Sequence, residues 1–260
     1  MLEKEFKKFA DSAILEGMTS ISAVINAGDE NDRKIQTVWF DCSKKRSKSA
    51  ELRFLLAKAK ELGFAVEQVS AEQIDATAIG NTHGGIIAFC TERHLLPLSP
   101  ERITEKGFYV FLEGIEDPYN FGYTVRSLYA AGVDGVILPP RNWMSAAGVV
   151  ARASAGASEL IPMYTASSEK VISCFRQKGY RILCAGIRDS VSVFEASFPF
   201  PILLVVGGEK RGISRDLLDQ ADSVVRIDYG REFRGSLSAA SAATVMAFEI
   251  LRQNKFKSGQ

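Results

Sequence analysis

From residue 108 onward the chain alternates short, almost wholly apolar runs with stretches of helical spacing. No other feature constrains its fold as strongly. The apolar runs are 108–112, 135–138, 181–185, 202–206 and 224–227. Helical stretches fall at 119–131, 146–153, 171–177 and 216–220, and a long helix rich in small residues follows at 238–252. A strand with one face in water alternates apolar and polar side chains, whereas a strand apolar along its length is covered on both faces. The pattern predicts an α/β fold built on a mostly parallel sheet with helices on both faces.

The preceding segment reads as a smaller α/β domain. Ile14, Leu15, Met18, Ile21, Val24 and Ile25 have helical spacing and predict a helix over 11–25. A strand at 37–40 leads to an amphipathic helix at 49–62, with Leu52, Leu55, Leu56, Ala59 and Leu62 on one side and Gly63 as its stop. Strands return at 64–69 and 86–89. The stretch 95–106 holds Pro97 and Pro100 and has no periodicity. The expected division is a first domain at 1–97, a linker at 98–106 and a second domain at 107–260.

A chain of 260 residues, 46% hydrophobic and 24% charged, has the composition of a globular protein. The net charge of +1 gives no bulk pull toward nucleic acid, so a nucleic-acid surface has to be a local patch. Lys44, Lys45, Arg46 and Lys48 form the candidate patch, with Arg53, Lys58 and Lys60 beyond them. A solvated loop and helix face is an equally good account of that run. Cys42, Cys90, Cys174 and Cys184 are widely spaced, and with His83 and His94 the only histidines no metal site is expected. Buried free thiols in a reducing cytosol are the simpler reading. The first residues lack the apolar centre of a signal peptide, and no run has the length to span a bilayer. A cytoplasmic protein without a membrane partner is expected.

Three motifs remain. Val205-Val206-Gly207-Gly208-Glu209-Lys210-Arg211-Gly212 puts a glycine-rich turn after a buried strand, where backbone can approach a ligand closely. It matches neither the Walker A loop nor the dinucleotide fingerprint, and a tight structural turn explains it equally well. Asn120-Phe121-Gly122-Tyr123-Thr124-Val125-Arg126 opens a helix. Asn120 suits a helix cap. Arg126, between apolar neighbours, is expected to be partly buried, and a structural ion pair is its ordinary role. The third motif runs from Ile227-Asp228-Tyr229-Gly230 to Ser236-Leu237-Ser238 and a small-residue helix, which by itself indicates only close packing.

In this order the three motifs resemble the signature motifs of the SpoU (TrmH-type) RNA ribose methyltransferases of the SPOUT superfamily. The resemblance is strong over 107–252 and looser over 12–97. It implies S-adenosylmethionine as cofactor and methyl transfer to a ribose 2′-OH of structured RNA, ribosomal RNA first and transfer RNA second. It implies a trefoil-knotted second domain, an α/β/α substrate-binding first domain with a basic surface for RNA, and a homodimer with the site near the subunit interface. By the same resemblance Arg126, Asn120, Glu209, Ser236 and Ser238 form the catalytic set, and Gly207, Ile227 and Leu237 contact the cofactor. The chain departs from the family pattern where Asp228-Tyr229 replaces Pro-Met, Ser238 replaces Asn, and His83-Gly84-Gly85 replaces His-Gln-Gly.

The chemistry asks for a group such as Arg126. A ribose 2′-OH is a weak nucleophile, and a positioned cation stabilises the alkoxide charge that develops on it. With a pKa above about 12, arginine serves as electrostatic stabiliser rather than as base. Two other readings stand beside this one. The departures fit an RNA-binding or assembly protein with a degenerate methyltransferase domain. The alternation alone also fits a nucleotide-dependent oxidoreductase or hydrolase on an open sheet.

Overall fold

The computed structural model describes residues 13–29, 31–140, 146–208 and 210–255. Contacts divide the chain into two compact units, one of Met1–His94 with Asn142–Leu160, the other of Leu95–Arg141 with Ile161–Gln260.

The first unit is built on a four-stranded sheet of order β1-β4-β2-β3, comprising β1 (Ala13–Glu16), β2 (Ile35–Asp41), β3 (Ala65–Val69) and β4 (Ile86–Cys90). β4 runs antiparallel to both β1 and β2, and β3 runs parallel to β2. Residues 13–16, expected at the start of a helix, are a strand instead. They pair with β4 from Ala13↔Cys90 to Glu16↔Ile87. Gly17 then turns the chain at φ +76° into α1 (Gly17–Ile25), a conformation open mainly to glycine. Residues 11 and 12 of the expected helix lie outside the described residues. The helix predicted at 49–62 is present as α2 (Ser49–Leu62) and ends at Gly63 in the left-handed conformation. α3 (Ala71–Thr77) starts with a Ser70–Gln73 capping box. Leu15, Ile21, Val38, Phe40, Leu55 and Ile86 form the core, joined by Ala151 from far along the chain.

That last contact reflects a departure from the linear order. α5 (Ala147–Ala153) packs on β1 and α1, and α6 (Ala157–Leu160) packs on α1. Two ion pairs hold them. Arg152 bonds the buried Glu16, whose carboxylate also accepts the Gly80 N–H at 2.8 Å. Arg33 and Glu159 meet at 3.0 Å with 6% and 4% of their side chains exposed. The partners stand more than 120 residues apart in sequence, so a division drawn along the chain does not anticipate them.

The second unit carries an eight-stranded sheet of order β10-β12-β9-β11-β6-β7-β8-β5 among the described residues. Its strands are β5 (Leu96–Pro97), β6 (Phe108–Glu113), β7 (Gly135–Leu138), β8 (Met163–Thr165), β9 (Arg181–Ala185), β10 (Val191–Ser192), β11 (Ile202–Gly207) and β12 (Ser223–Arg226). Every neighbouring pair is parallel, as the continuous apolar runs predict. β5, β8 and β10 are too short to show a period in sequence. The helices are α4 (Pro118–Ala130), α7 (Ser168–Gln177), α8 (Arg215–Asp219) and α9 (Ala239–Lys255). Phe111, Ile137, Ile182, Leu203 and Val205 are fully buried on one face with Val171 and Phe175 of α7. Burying each such large side chain contributes roughly 1.5–3 kcal/mol.

The chain passes outward from β6 through β7 and β8, returns to place β9 on the far side, and then fills the gap between β9 and β6 with β11. This order brings the carboxyl ends of β6, β9, β11 and β12 together.

Candidate active site

β11 ends at Gly207, and there the backbone of two turns meets. A Cβ on Gly207 would stand 2.3 Å from the carbonyl carbon of Gly212, and one on Gly208 would stand 2.1 Å from the carbonyl oxygen of Gly114. Both positions therefore require glycine, and the turn after β11 lies directly against the turn after β6. Gly212 donates its N–H to the Gly208 carbonyl at 2.9 Å. Glu113, the last residue of β6, fixes the far side. Its carboxylate accepts the Ser214 N–H at 2.8 Å and the Ser168 hydroxyl at 3.3 Å.

Beside Gly207 opens a cavity of about 690 Å³. That size suits a small organic ligand, and the carboxyl end of a parallel sheet is where such ligands bind. Ala185, Gly186, Ile187 and Arg188 line it after β9. Gly207, Gly208 and Ile213 line it after β11, with Arg226, Ile227, Asp228 and Tyr229 around the end of β12. The loop residues Phe233 to Leu237 and Ala239, Ala242 and Met246 of α9 complete the wall.

Of the residues singled out in sequence, Gly207, Ile227, Ser236 and Leu237 meet at this cavity. Ser238 does not line it. Its hydroxyl accepts the Ser241 N–H at 3.2 Å and donates to the Ser241 hydroxyl at 3.0 Å, which caps α9. Glu209 lies outside the described residues. The cavity residues at 185–188 carry no motif, and only the general placement of ligands at the ends of parallel strands could have found them. Asp228 departs from the family pattern and is held from two sides. The Ser192 hydroxyl and then the Arg226 guanidinium, whose Nε donates at 2.8 Å, keep its carboxyl below the usual range.

Asn120 and Arg126 ride on α4, which packs along α9, and neither lines the cavity. Both depart from expectation. Asp117, not Asn120, caps α4, and its carboxylate accepts the Asn120 N–H at 2.8 Å. Asn120 is half-buried within the first turn, and Thr124 donates to its carbonyl at 2.7 Å. Arg126 is exposed rather than partly buried. Val125 and Leu128 face the interior, but residues one and two positions away on a helix point elsewhere. Tyr119 and Tyr123, both exposed, share the face of Arg126. No ion pair to Arg126 is made among the described residues.

The basic run lies in the first unit. Lys44 ends a short 3₁₀ turn and approaches the buried Asp41 at 3.7 Å, Lys45 and Arg46 are exposed, and Lys48 is half-buried. His83 accepts the Gly85 N–H on Nδ1 at 3.1 Å, which leaves Nε2 as donor to Asp75 at 3.1 Å. Of the four cysteines, Cys90, Cys174 and Cys184 are buried and Cys42 is exposed, against the expectation for that one thiol. Burial pushes the Cys90 and Cys184 thiols up to about 12.

Known proteins share this sequence pattern and fold. The SpoU rRNA methylase family profile matches residues 107–248, and that of the RNA 2′-O ribose methyltransferase substrate-binding domain matches residues 14–96. The 23S rRNA (guanosine-2′-O-)-methyltransferase RlmB of Shewanella oneidensis is 27% identical over 208 residues, covering 77% of this chain and 83% of that protein. RlmB of a Burkholderia species is 26% identical over 244 residues, covering 92% and 96%. An AdoMet-bound rRNA methyltransferase from Sinorhizobium meliloti has the same fold, with a TM-score of 0.76 at 23% identity over 97% of this chain and 92% of that one. With more than half its length matched by that profile, this chain belongs to the SpoU rRNA methylase family.

Proposed function

We propose that the protein transfers a methyl group from S-adenosylmethionine to a ribose 2′-OH of structured RNA, with ribosomal RNA as substrate. The observation that carries this reading is the cavity at the strand ends, where Gly207 of one motif meets Ile227 and Leu237 of another.

The cavity residues fit the cofactor. Gly207 offers bare backbone at its mouth, and Val206, Leu218, Ile227, Leu237 and Met246 give apolar wall for an adenine and a thioether chain. When bound, S-adenosylmethionine supplies an electrophilic methyl group on a positively charged sulfur. The protein's part is to place the ribose hydroxyl and to stabilise its developing charge. Arg126 suits that task because its guanidinium is exposed and has no ion pair among the described residues, so its charge is available to an RNA phosphate and to the forming alkoxide. Ser236 is exposed at the cavity wall. Ser238 would act indirectly, holding the Ser236-Leu237 turn at the head of α9. Asn120 and Glu209 complete the proposed set, and Lys44, Lys45, Arg46 and Lys48 would meet RNA phosphates in a salt-dependent way.

A homodimer belongs to the same reading. Tyr119 and Tyr123 on α4 and Phe248 on α9 are exposed aromatics on packed neighbouring helices, a surface suited to a second copy. The trefoil knot and a cytoplasmic location are part of the proposal as well. Among the described residues, no helix is long and apolar enough to cross a membrane.

The test is methyl transfer from labelled S-adenosylmethionine to total RNA from cells lacking the protein. The expected product is a 2′-O-methylated nucleotide in the ribosomal fraction. If label appears in transfer RNA instead, the substrate assignment changes. A folded protein that binds both cofactor and RNA and transfers nothing is an RNA-binding protein.

A further inference from the structure

The loop from β12 to α9 brings Ser236 and Leu237 to the cavity without any regular structure of its own. Residues 229–237 are all exposed, and Gly230 and Gly235 lie among them. A loop of this kind loses much conformational entropy when it is held in one shape. Side chains fix it at two points. At its start, Arg226 donates from Nε to Asp228 at 2.8 Å and from Nη1 to the Ser190 carbonyl, tying the loop to the turn before β10. Across its length, the Tyr229 phenol oxygen accepts the Leu237 N–H at 3.2 Å, spanning eight positions. The Tyr229 ring also meets the Phe233 ring edge to face at 5.8 Å.

We propose that Tyr229 is a positioning residue for the methyl-donor cavity, holding the main chain of Leu237 so that Ser236 and Leu237 keep their places in its wall. The inference rests on the cavity being the S-adenosylmethionine site. Tyr229 is one of the positions where the chain departs from the resemblance given above, and here the departing side chain supplies an anchor for the loop. Without the phenol oxygen the loop samples more shapes, and apparent affinity falls with the fraction that remains competent.

Tyr229→Phe keeps the ring and its contact with Phe233 and removes only the oxygen. With S-adenosylhomocysteine as probe in calorimetry, its Kd is expected to rise about 3- to 10-fold, the worth of one hydrogen bond. The melting temperature should stay at the wild-type value, because the loop is exposed. In turnover, the KM for S-adenosylmethionine should rise far more than kcat falls, a split that a general loss of stability does not produce. Tyr229→Ala, which also removes the ring contact, should weaken binding further. A Tyr229→Phe protein with wild-type Kd and KM would overturn the inference. A wild type that fails to bind S-adenosylhomocysteine would overturn the assignment of the cavity, and this inference with it.

Discussion

Arg33 in the first unit and Arg126 in the second carry the same guanidinium into opposite surroundings. Arg33 is 6% exposed, bonds Glu159 at 3.0 Å through Nε and gives Nη1 to the Thr91 carbonyl at 2.9 Å. Asn31 donates to the same Glu159 carboxylate at 3.0 Å, and Ser158 donates at 3.3 Å, so the pair sits in a closed network. Arg126 is exposed, stands on a face with two tyrosines and has no ion pair among the described residues. Burial forces a cation to find its acceptors inside the chain. An exposed cation within a motif remains available to something outside the chain. Architecture consumes the first arginine, and the proposed chemistry uses the second.

The sharpest way to break this contrast is to remove Glu159. Glu159→Ala leaves Arg33 buried with its main partner gone, and breaking a buried pair in this way costs about 3–5 kcal/mol. Urea unfolding should show that loss in the first unit. Replacing both partners by apolar residues, as in Arg33→Met with Glu159→Leu, should recover most of it, because no charge is then stranded. A Glu159→Ala loss below about 1 kcal/mol, the range of exposed pairs, would mean that the network is incidental.

Arg126→Ala is expected to do the reverse. Methyl transfer should fall by about 100- to 1,000-fold, the usual cost of losing one electrostatic stabiliser of the transition state. Stability should move by no more than about 0.5 kcal/mol, as for ordinary surface substitutions. Arg126→Lys keeps the charge without the planar fork and should restore only part of the rate. Paired melts and labelled-transfer assays check both halves. A large drop in melting temperature for Arg126→Ala would erase the distinction from Arg33.

The structure also shows what kind of information a sequence carries. The parallel sheet was legible because a strand buried on both faces writes its environment into consecutive residues, as Ile202–Val206 does. Gly207, Ile227, Ser236 and Leu237 were legible as a set only through the resemblance of their motifs to the family's, and the four line one cavity. The surroundings of Arg126 were misread because apolar sequence neighbours are not helix-face neighbours. Asn120 suits a cap by residue type, but Asp117, three residues earlier, takes that place. The strand at 13–16 was hidden because Ile14 and Leu15 also fit the helical spacing, and only pairing with Cys90 and its neighbours decides between the two. The Arg33–Glu159 and Glu16–Arg152 pairs, and the Tyr229–Leu237 latch, depend on three-dimensional proximity that no local pattern records.

Asp222 and Arg176 occupy the middle of the contrast and give its smallest test. Arg176 donates to both carboxylate oxygens at 2.9 and 2.7 Å, and the Ile182 N–H donates to one of them at 2.7 Å, yet the side chains are 40% and 33% exposed. Burial pushes the Asp222 carboxyl up, but the Arg176 and Ile182 hydrogen bonds outweigh it and hold the group below its ordinary value of 3.8. A carboxyl with a lowered folded-state pKa contributes stability that is present above the unfolded value and is lost as pH falls through the folded one. Asp222→Asn should therefore cost about 1 kcal/mol at neutral pH, the upper range for a solvent-screened pair. The difference from wild type should shrink as the pH drops below 3.8. Urea unfolding of both proteins at neutral and acidic pH measures it. An equal cost at both would assign the contribution to the shape of the side chain rather than to its charge, and Asp222 would then be no intermediate case between Arg33 and Arg126.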